Sequence, residues 1–486
     1  MTQAQRMGAP LAEPVLDAFI RWSANLDWHA IPLATRAMLK HELLDYLGAA
    51  IAGRAIAGMP SWLQVLADMG GRPDAVVIGG PYLPAQTAAL CNGYFGHVLE
   101  FDDTHDEAVL HAGGAAIPAA LAAAGVRAQR GKPVGGSEFC TAVLLGIELT
   151  CRLGVATRLN LVEGGWIYTA LLGHFGATLA AARLLDRRDD SIRNALGIAY
   201  CLASGNHQST REGVVTKHVQ PGFAASNAVL AALMGGAGLP GVRQPLTGED
   251  GLRRVYLHDS FDEARAGDGL GTRFETDRLS FKPYPTCRLT HPAISAAIRL
   301  HDELGAAVGD IERIDLAIGP QAHDVVGRNS ARRLAPATRV DAQFSVYWCL
   351  AATLVHGELT PRQLMEEIPP STRVQAMIGR ISCRADPASA QRDVGGCKLA
   401  VQGAFGTREI VEANAKGHPD NPLTKDELLA KFRANVLLAG MTRGVADELA
   451  HEVLAIDEAR DMAELTNLLA NCIVPDALSR LPALAK

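Results

Sequence analysis

The sequence has no pair of cysteines spaced C-x-x-C, and its cysteine count, nine, is odd. That usage argues against a zinc ribbon or a disulfide framework and points to a reducing compartment, with the cytoplasm as the expected location. Aromatic residues are only 5% of the chain. No block of like charges long enough to act as an interaction tail occurs. With a formal net charge of −6, there is no electrostatic reason to bind nucleic acid or an anionic membrane. The opening MTQAQRMGAPLAEP carries no apolar core, so no secretory leader is expected. Three stretches without formal charge, starting at Ala108, Gly164 and Phe223, reach about the length of a membrane span. Each is Ala-rich and broken by Gly, His, Pro or Asn, which predicts buried core helices. The metal-binding spacings H-E-x-x-H and EF-hand are missing, as is the P-loop order.

What is present is small and apolar. Hydrophobic residues make up 48% of 486 positions, much of them alanine, the best helix former. Apolar residues recur at three- and four-residue steps from Pro14 to about Ala237. The periodicity predicts helices near 14–26, 35–53, 85–99, 118–128, 136–153, 168–185, 191–204 and 224–234. A turn-rich link follows near Gly241, and mixed structure after it. IERIDLAIG, ISCRAD, CKLAVQGAFG and TREIVEANAKG read as strands, the last two as a hairpin. VDAQFSVYWCLAATLVHG reads as one apolar helix, and the tail from Leu423 as helical again. The predicted fold is mainly α with a smaller α+β part: an all-helical bundle over 1–274, an α+β lid over 275–415, and helices over 416–486 returning to the bundle.

Four segments carry chemistry. The densest runs through NGYFGH at 92–97, EFDDTHDE at 100–107 and HAGG at 111–114. A loop at a helix end can aim such side chains into a pocket, and a tuned histidine can pass protons near neutral pH. The same residues also fit an acidic capping loop, or a metal site using His97, Asp102, Asp103, His105 and His111. In GVVTKHVQPG at 213–222, Lys217 precedes an apolar helix and can meet an anion there, or lie on the surface of a loop. In FKPYPTCRLTHP at 281–292, prolines stiffen the chain around Lys282 and Arg288, and fixed cations suit a carboxylate substrate. Cys287 is a nucleophile or a packed thiol. GGWIY at 164–168 and His174 after it read as helix packing.

In series, FDDTHDEAVLH, ALGIAYCLASGNHQ with TKHVQPGFAASNAVLAA, and FKPYPTCRLTHPAI resemble the MmgE/PrpD family, which includes 2-methylcitrate dehydratases, cis-aconitate decarboxylases and an iminodisuccinate epimerase. The resemblance spans nearly the whole chain. It implies a helical domain with an α+β lid, a homodimer, a small carboxylate substrate, and neither metal nor cofactor. It implies catalysis by His111, with Lys217 and Lys282 contacting substrate carboxylates and Asp103 orienting the histidine. Glu100, Thr104, Cys287, Arg288 and His291 are implied to line the substrate site. The chain departs from the family at Ile167, where many relatives carry histidine, at Cys287, where animal decarboxylases carry histidine, and at Glu100, more usually Asp. The implied chemistry is proton transfer beside a carboxylate with loss of water or CO2. Epimerisation by the same residues, or a binding protein that has lost the chemistry, stays open.

Overall fold

The computed structural model describes residues 13–388 and 394–473. Most of the opening stretch read for a leader, and the end of the 416–486 tail, lie outside the described residues. The architecture is mainly helical with a smaller α+β part, as the periodicity predicts.

Seven long helices build the bundle: Leu33–Ala57, Ala85–His97, Gly113–Gln129, Gly136–Ala156, Gly173–Leu185, Asp189–Leu202 and Thr216–Gly236. Their shared core runs from Val15 to Phe281 and takes in Leu428, Phe432, Val436, Leu449 and Leu469 from the chain's last helices. Most of the stretches from Ala108 and Gly164 falls in this core, whereas the one from Phe223 contributes one face, with Phe223, Met234 and Leu239 exposed. Gly136–Ala156 is also apolar enough to cross a membrane by length and composition, yet it is wholly buried in the fold. Inside it, Arg152 Nε donates to Glu148 Oε2 at 3.1 Å, which satisfies two charges that would otherwise be costly to bury.

Small residues set how closely these helices approach. A Cβ on Gly222 would lie 2.5 Å from the Leu90 carbonyl oxygen, and one on Gly93 would lie 2.6 Å from Gly222 Cα. The helices Thr216–Gly236 and Ala85–His97 therefore meet backbone to backbone, where only glycine fits. The sequence reading puts 213–222 in a loop; the structure starts the helix at Thr216, with Pro221 inside it. Pro118 likewise sits inside the helix Gly113–Gln129, five residues past its start. Each proline lies in the second turn, where its missing N–H frees one carbonyl near the helix start. Lys217 is thus fixed in a first helical turn beside the end of Ala85–His97.

The α+β part holds a four-stranded sheet in the order Ile381–Ala385, Ile311–Ile318, Cys397–Gly403, Gly406–Glu412. The first pair is parallel, with Ile314 opposite Ile381. The other two pairs are antiparallel, with Leu316 opposite Leu399 and Leu399 opposite Ile410. All four predicted strands are present, and the last two form the hairpin. Helices His291–Leu304 and Val346–His356 share its core through Ile294, Trp348 and Leu350. The predicted single helix after Val340 is broken in two, because Ser345 is extended and its side chain caps Trp348 N. A short antiparallel ladder, Thr104 opposite Ser280, ties the acidic loop to the chain entering Lys282.

Gly222→Ala should destabilise the protein by about 1–3 kcal/mol, the usual cost of overpacking. Thermal unfolding checks this: a midpoint equal to that of the unsubstituted protein would contradict the close crossing.

Candidate active site

The loop after the helix Ala85–His97 turns on Glu100, which holds φ at +52°, and ends near Val109 at +53°. Left-handed conformations at residues other than glycine cost roughly 1–3 kcal/mol each and cluster at functional sites. The turn drives the Glu100 side chain inward, where it is 1% exposed. Oε1 of its carboxylate contacts Lys217 Nζ, and Oε2 lies 3.3 Å from Lys282 Nζ. Lys282 Nζ also donates to the Glu100 carbonyl at 3.0 Å. One buried carboxylate thus binds two lysines carried by separate parts of the fold.

Three histidines surround this centre. His97 Nε2 is 2.7 Å from Lys217 Nζ, and its Nδ1 is 2.8 Å from Asp102 Oδ2. His111 Nδ1 lies 3.3 Å from the same Asp102 oxygen, and its Nε2 lies 3.8 Å from Glu100 Oε2. His218 Nε2 is 3.4 Å from Glu100 Oε1. Burial pushes Asp102 up, but the imidazoles of His111 and His97 outweigh it and hold the carboxyl well below its ordinary value. Burial holds His97 and His218 well below the ordinary histidine range, so both are neutral. Burial, reinforced by the ammonium of Lys282, pushes Lys217 well down; the Glu100 carboxylate against its Nζ opposes that shift.

A cleft opens beside this cluster, enclosing about 610 Å³ of empty space that includes some open solvent. Glu100, Thr104, His111, Lys217, Cys287 and Arg288 line it, all expected from sequence. His111 is 12% exposed at its side chain, against 1% for Glu100, and faces this space.

The remaining expected residues stand behind the wall. Lys282 is fully buried behind Glu100. Asp103 does not orient His111. Its oxygens accept from Ala112 N at 2.9 Å and Gly113 N at 3.2 Å, at the start of the helix Gly113–Gln129. Burial and neighbouring Asp102 push its carboxyl to about 7. The carboxylate beside His111 is Asp102. His291 is buried against the Thr286 carbonyl at 3.3 Å and away from the cleft. Arg288 reaches the cleft already paired: its Nε and Nη2 bind Asp106, the latter at 3.0 Å, and its Nη1 donates to the Lys416 carbonyl. Asp106 also accepts from Thr104 and Ser280. Burial raises the Cys287 thiol, which keeps it protonated and unlike a nucleophile.

Of the groups left open for a metal, His97, Asp102 and His111 bring one donor atom each within 4.8 Å of one another. His105 instead faces Glu275 at 3.1 Å, and Asp103 caps a helix. The Lys217 ammonium occupies the Nε2 side of His97, which disfavours a cation there. His207 and Tyr168 also line the cleft and were not picked out from sequence; the only available signal for His207 was its place in the GNHQ motif. His174 bonds the Ala170 carbonyl at 2.7 Å, which is helix packing as read.

Residues 17–264 match the MmgE/PrpD N-terminal domain and residues 284–454 the MmgE/PrpD C-terminal domain. A cis-aconitate decarboxylase of Aspergillus terreus (strain NIH 2624 / FGSC A1156) is 27% identical over 482 residues, covering 94% of this chain and 96% of that protein. The Homo sapiens cis-aconitate decarboxylase is 26% identical, covering 91% and 92%. A 2-methylcitrate dehydratase of Salmonella typhi is 23% identical, covering 62% and 63%. The two halves of the match meet at the cleft, and the chain belongs to the MmgE/PrpD family.

Proposed function

We propose that this chain is a metal-independent lyase that acts on a small di- or tricarboxylate and expels CO2 from an acid resembling cis-aconitate. The observation that carries the reading is His111, facing the cleft with Asp102 behind its Nδ1 and Lys217 on the same wall. The leaving group is chosen because the decarboxylases align over nine-tenths of both chains and the dehydratase over less than two-thirds.

Breaking the bond to a departing carboxylate leaves its electron pair on carbon. Conjugation with a double bond and a second carboxylate spreads that pair to a carbon that must take up a proton. His111 is placed to deliver the proton, and Asp102 steadies its imidazolium form. Lys217 offers fixed positive charge to the carboxylate on which negative charge builds. Lys282, held on the far side of Glu100, keeps that carboxylate from cancelling Lys217 outright. The two ammonium groups supply the electrostatic role that a metal plays elsewhere. We read the enzyme as cytoplasmic and homodimeric; all nine cysteines are free, which suits a reducing compartment.

Incubation with cis-aconitate, citrate and 2-methylcitrate, followed by NMR and CO2 release, tests the reading. His111→Ala should lower turnover by roughly two to four powers of ten, and retained turnover would remove His111 from the chemistry. Exhaustive chelation should leave activity intact; loss restored by one divalent ion would replace the lysine account with a metal one.

A further inference from the structure

The charged side chains that line the cleft have partners before any substrate arrives. Among its described lining residues, Lys217 and Arg288 are each already paired, with Glu100 and Asp106. Arg288 has little left to offer, since three of its nitrogen groups already meet Asp106, His291 and the Lys416 carbonyl.

Beside polar lining residues such as Thr104, His111 and His207, part of the wall is apolar. Val109 and Ile167 project from the helical side, and Leu289, Val325 and Phe344 from the α+β side. Ile167, Leu289, Val325 and Phe344 are all more than nine-tenths buried, so they form a built wall and not a scatter of surface side chains. The Phe344 ring also stands 5.0 Å from Lys217 Nζ, which places apolar surface next to the charged end. Together these side chains present more apolar surface than a single methyl group can cover.

We infer that the substrate of this cleft is a carboxylic acid bearing an apolar alkyl substituent longer than methyl, with the alkyl group against Ile167, Leu289, Val325 and Phe344. This rests on the lyase reading for what happens at the charged end, but the recognition of the alkyl group does not depend on turnover. Each methylene taken from water into such a wall is worth about a fourfold change in affinity. A hydrophobic pocket gains selectivity in steps of that kind, one carbon at a time.

The test uses the full chain and two series. Saturated 2-alkylsuccinates, from succinate to 2-hexylsuccinate, cannot react and report binding alone by calorimetry. Dissociation constants should fall by about fourfold per methylene over the first several carbons. Flat or rising values, or no binding by any member, would overturn the inference whatever the enzyme turns over. Val325→Thr keeps the shape of the side chain and adds a hydroxyl. It should shrink the advantage of the alkylated acids over succinate; an unaltered ladder would show that the alkyl group lies elsewhere and overturn this placement. Alkyl-substituted aconitates, followed by NMR, then report turnover. A binding ladder without turnover would sink the lyase reading and leave the alkyl site standing. Turnover of unsubstituted cis-aconitate at a higher kcat/KM than any alkylated acid would do the reverse.

Discussion

A single carboxylate, Glu100, sits between two buried ammonium groups, and most of the site follows from it. Taking an ion out of water costs several kcal/mol, and attraction in the interior offsets that only with close, satisfied geometry. Lys217 and Lys282 come from separate parts of the chain, yet both end on this one side chain. Glu100 can receive them because its backbone adopts a left-handed turn immediately after a helix. The same turn leaves Asp102 pointing back at His97 and His111. Charge pairing, backbone strain and the placement of the proton-transfer histidine are one arrangement.

The scaffold makes that arrangement rigid. Gly93 and Gly222 let two helices touch backbone to backbone, and the crossing sets where Lys217 stands relative to His97. Asp103 anchors the start of the helix that follows His111. Lys431, from the C-terminal helix Lys425–Leu438, donates to the Phe101 carbonyl at 2.8 Å and to Asp45 at 2.6 Å. The loop is thus held from the bundle, from the lid side through Ser280 and Arg288, and from the chain's last helices.

Much of this was legible in the sequence. Helical period and alternation gave the bundle and all four strands of the small sheet. The clustering of acids and histidines at 100–111 located the site, and the lysines at 217 and 282 came with the motif series. Other features were not legible, for physical reasons. Proline reads as a helix breaker, so the start of Thr216–Gly236 was lost until packing showed Pro221 tolerated in its second turn. Adjacent acids look alike in a string, and only geometry separates Asp102, which backs two histidines, from Asp103, which caps a helix. Arg288 reads as a free cation because its partner, Asp106, lies 182 residues away. His291 sits in a conspicuous motif yet turns into the core, since the 3-10 turn at Arg288–Thr290 aims it away from the cleft.

Glu100→Gln keeps the size of the side chain and removes the charge that both lysines share. The measurement is turnover of the best acid in the alkyl series, alongside the unfolding midpoint. Leaving buried charges without their partner typically costs about 3–5 kcal/mol, so a lower midpoint and turnover reduced by at least about a hundredfold are expected. A variant with both values unchanged would mean that the Glu100 carboxylate does not organise the site.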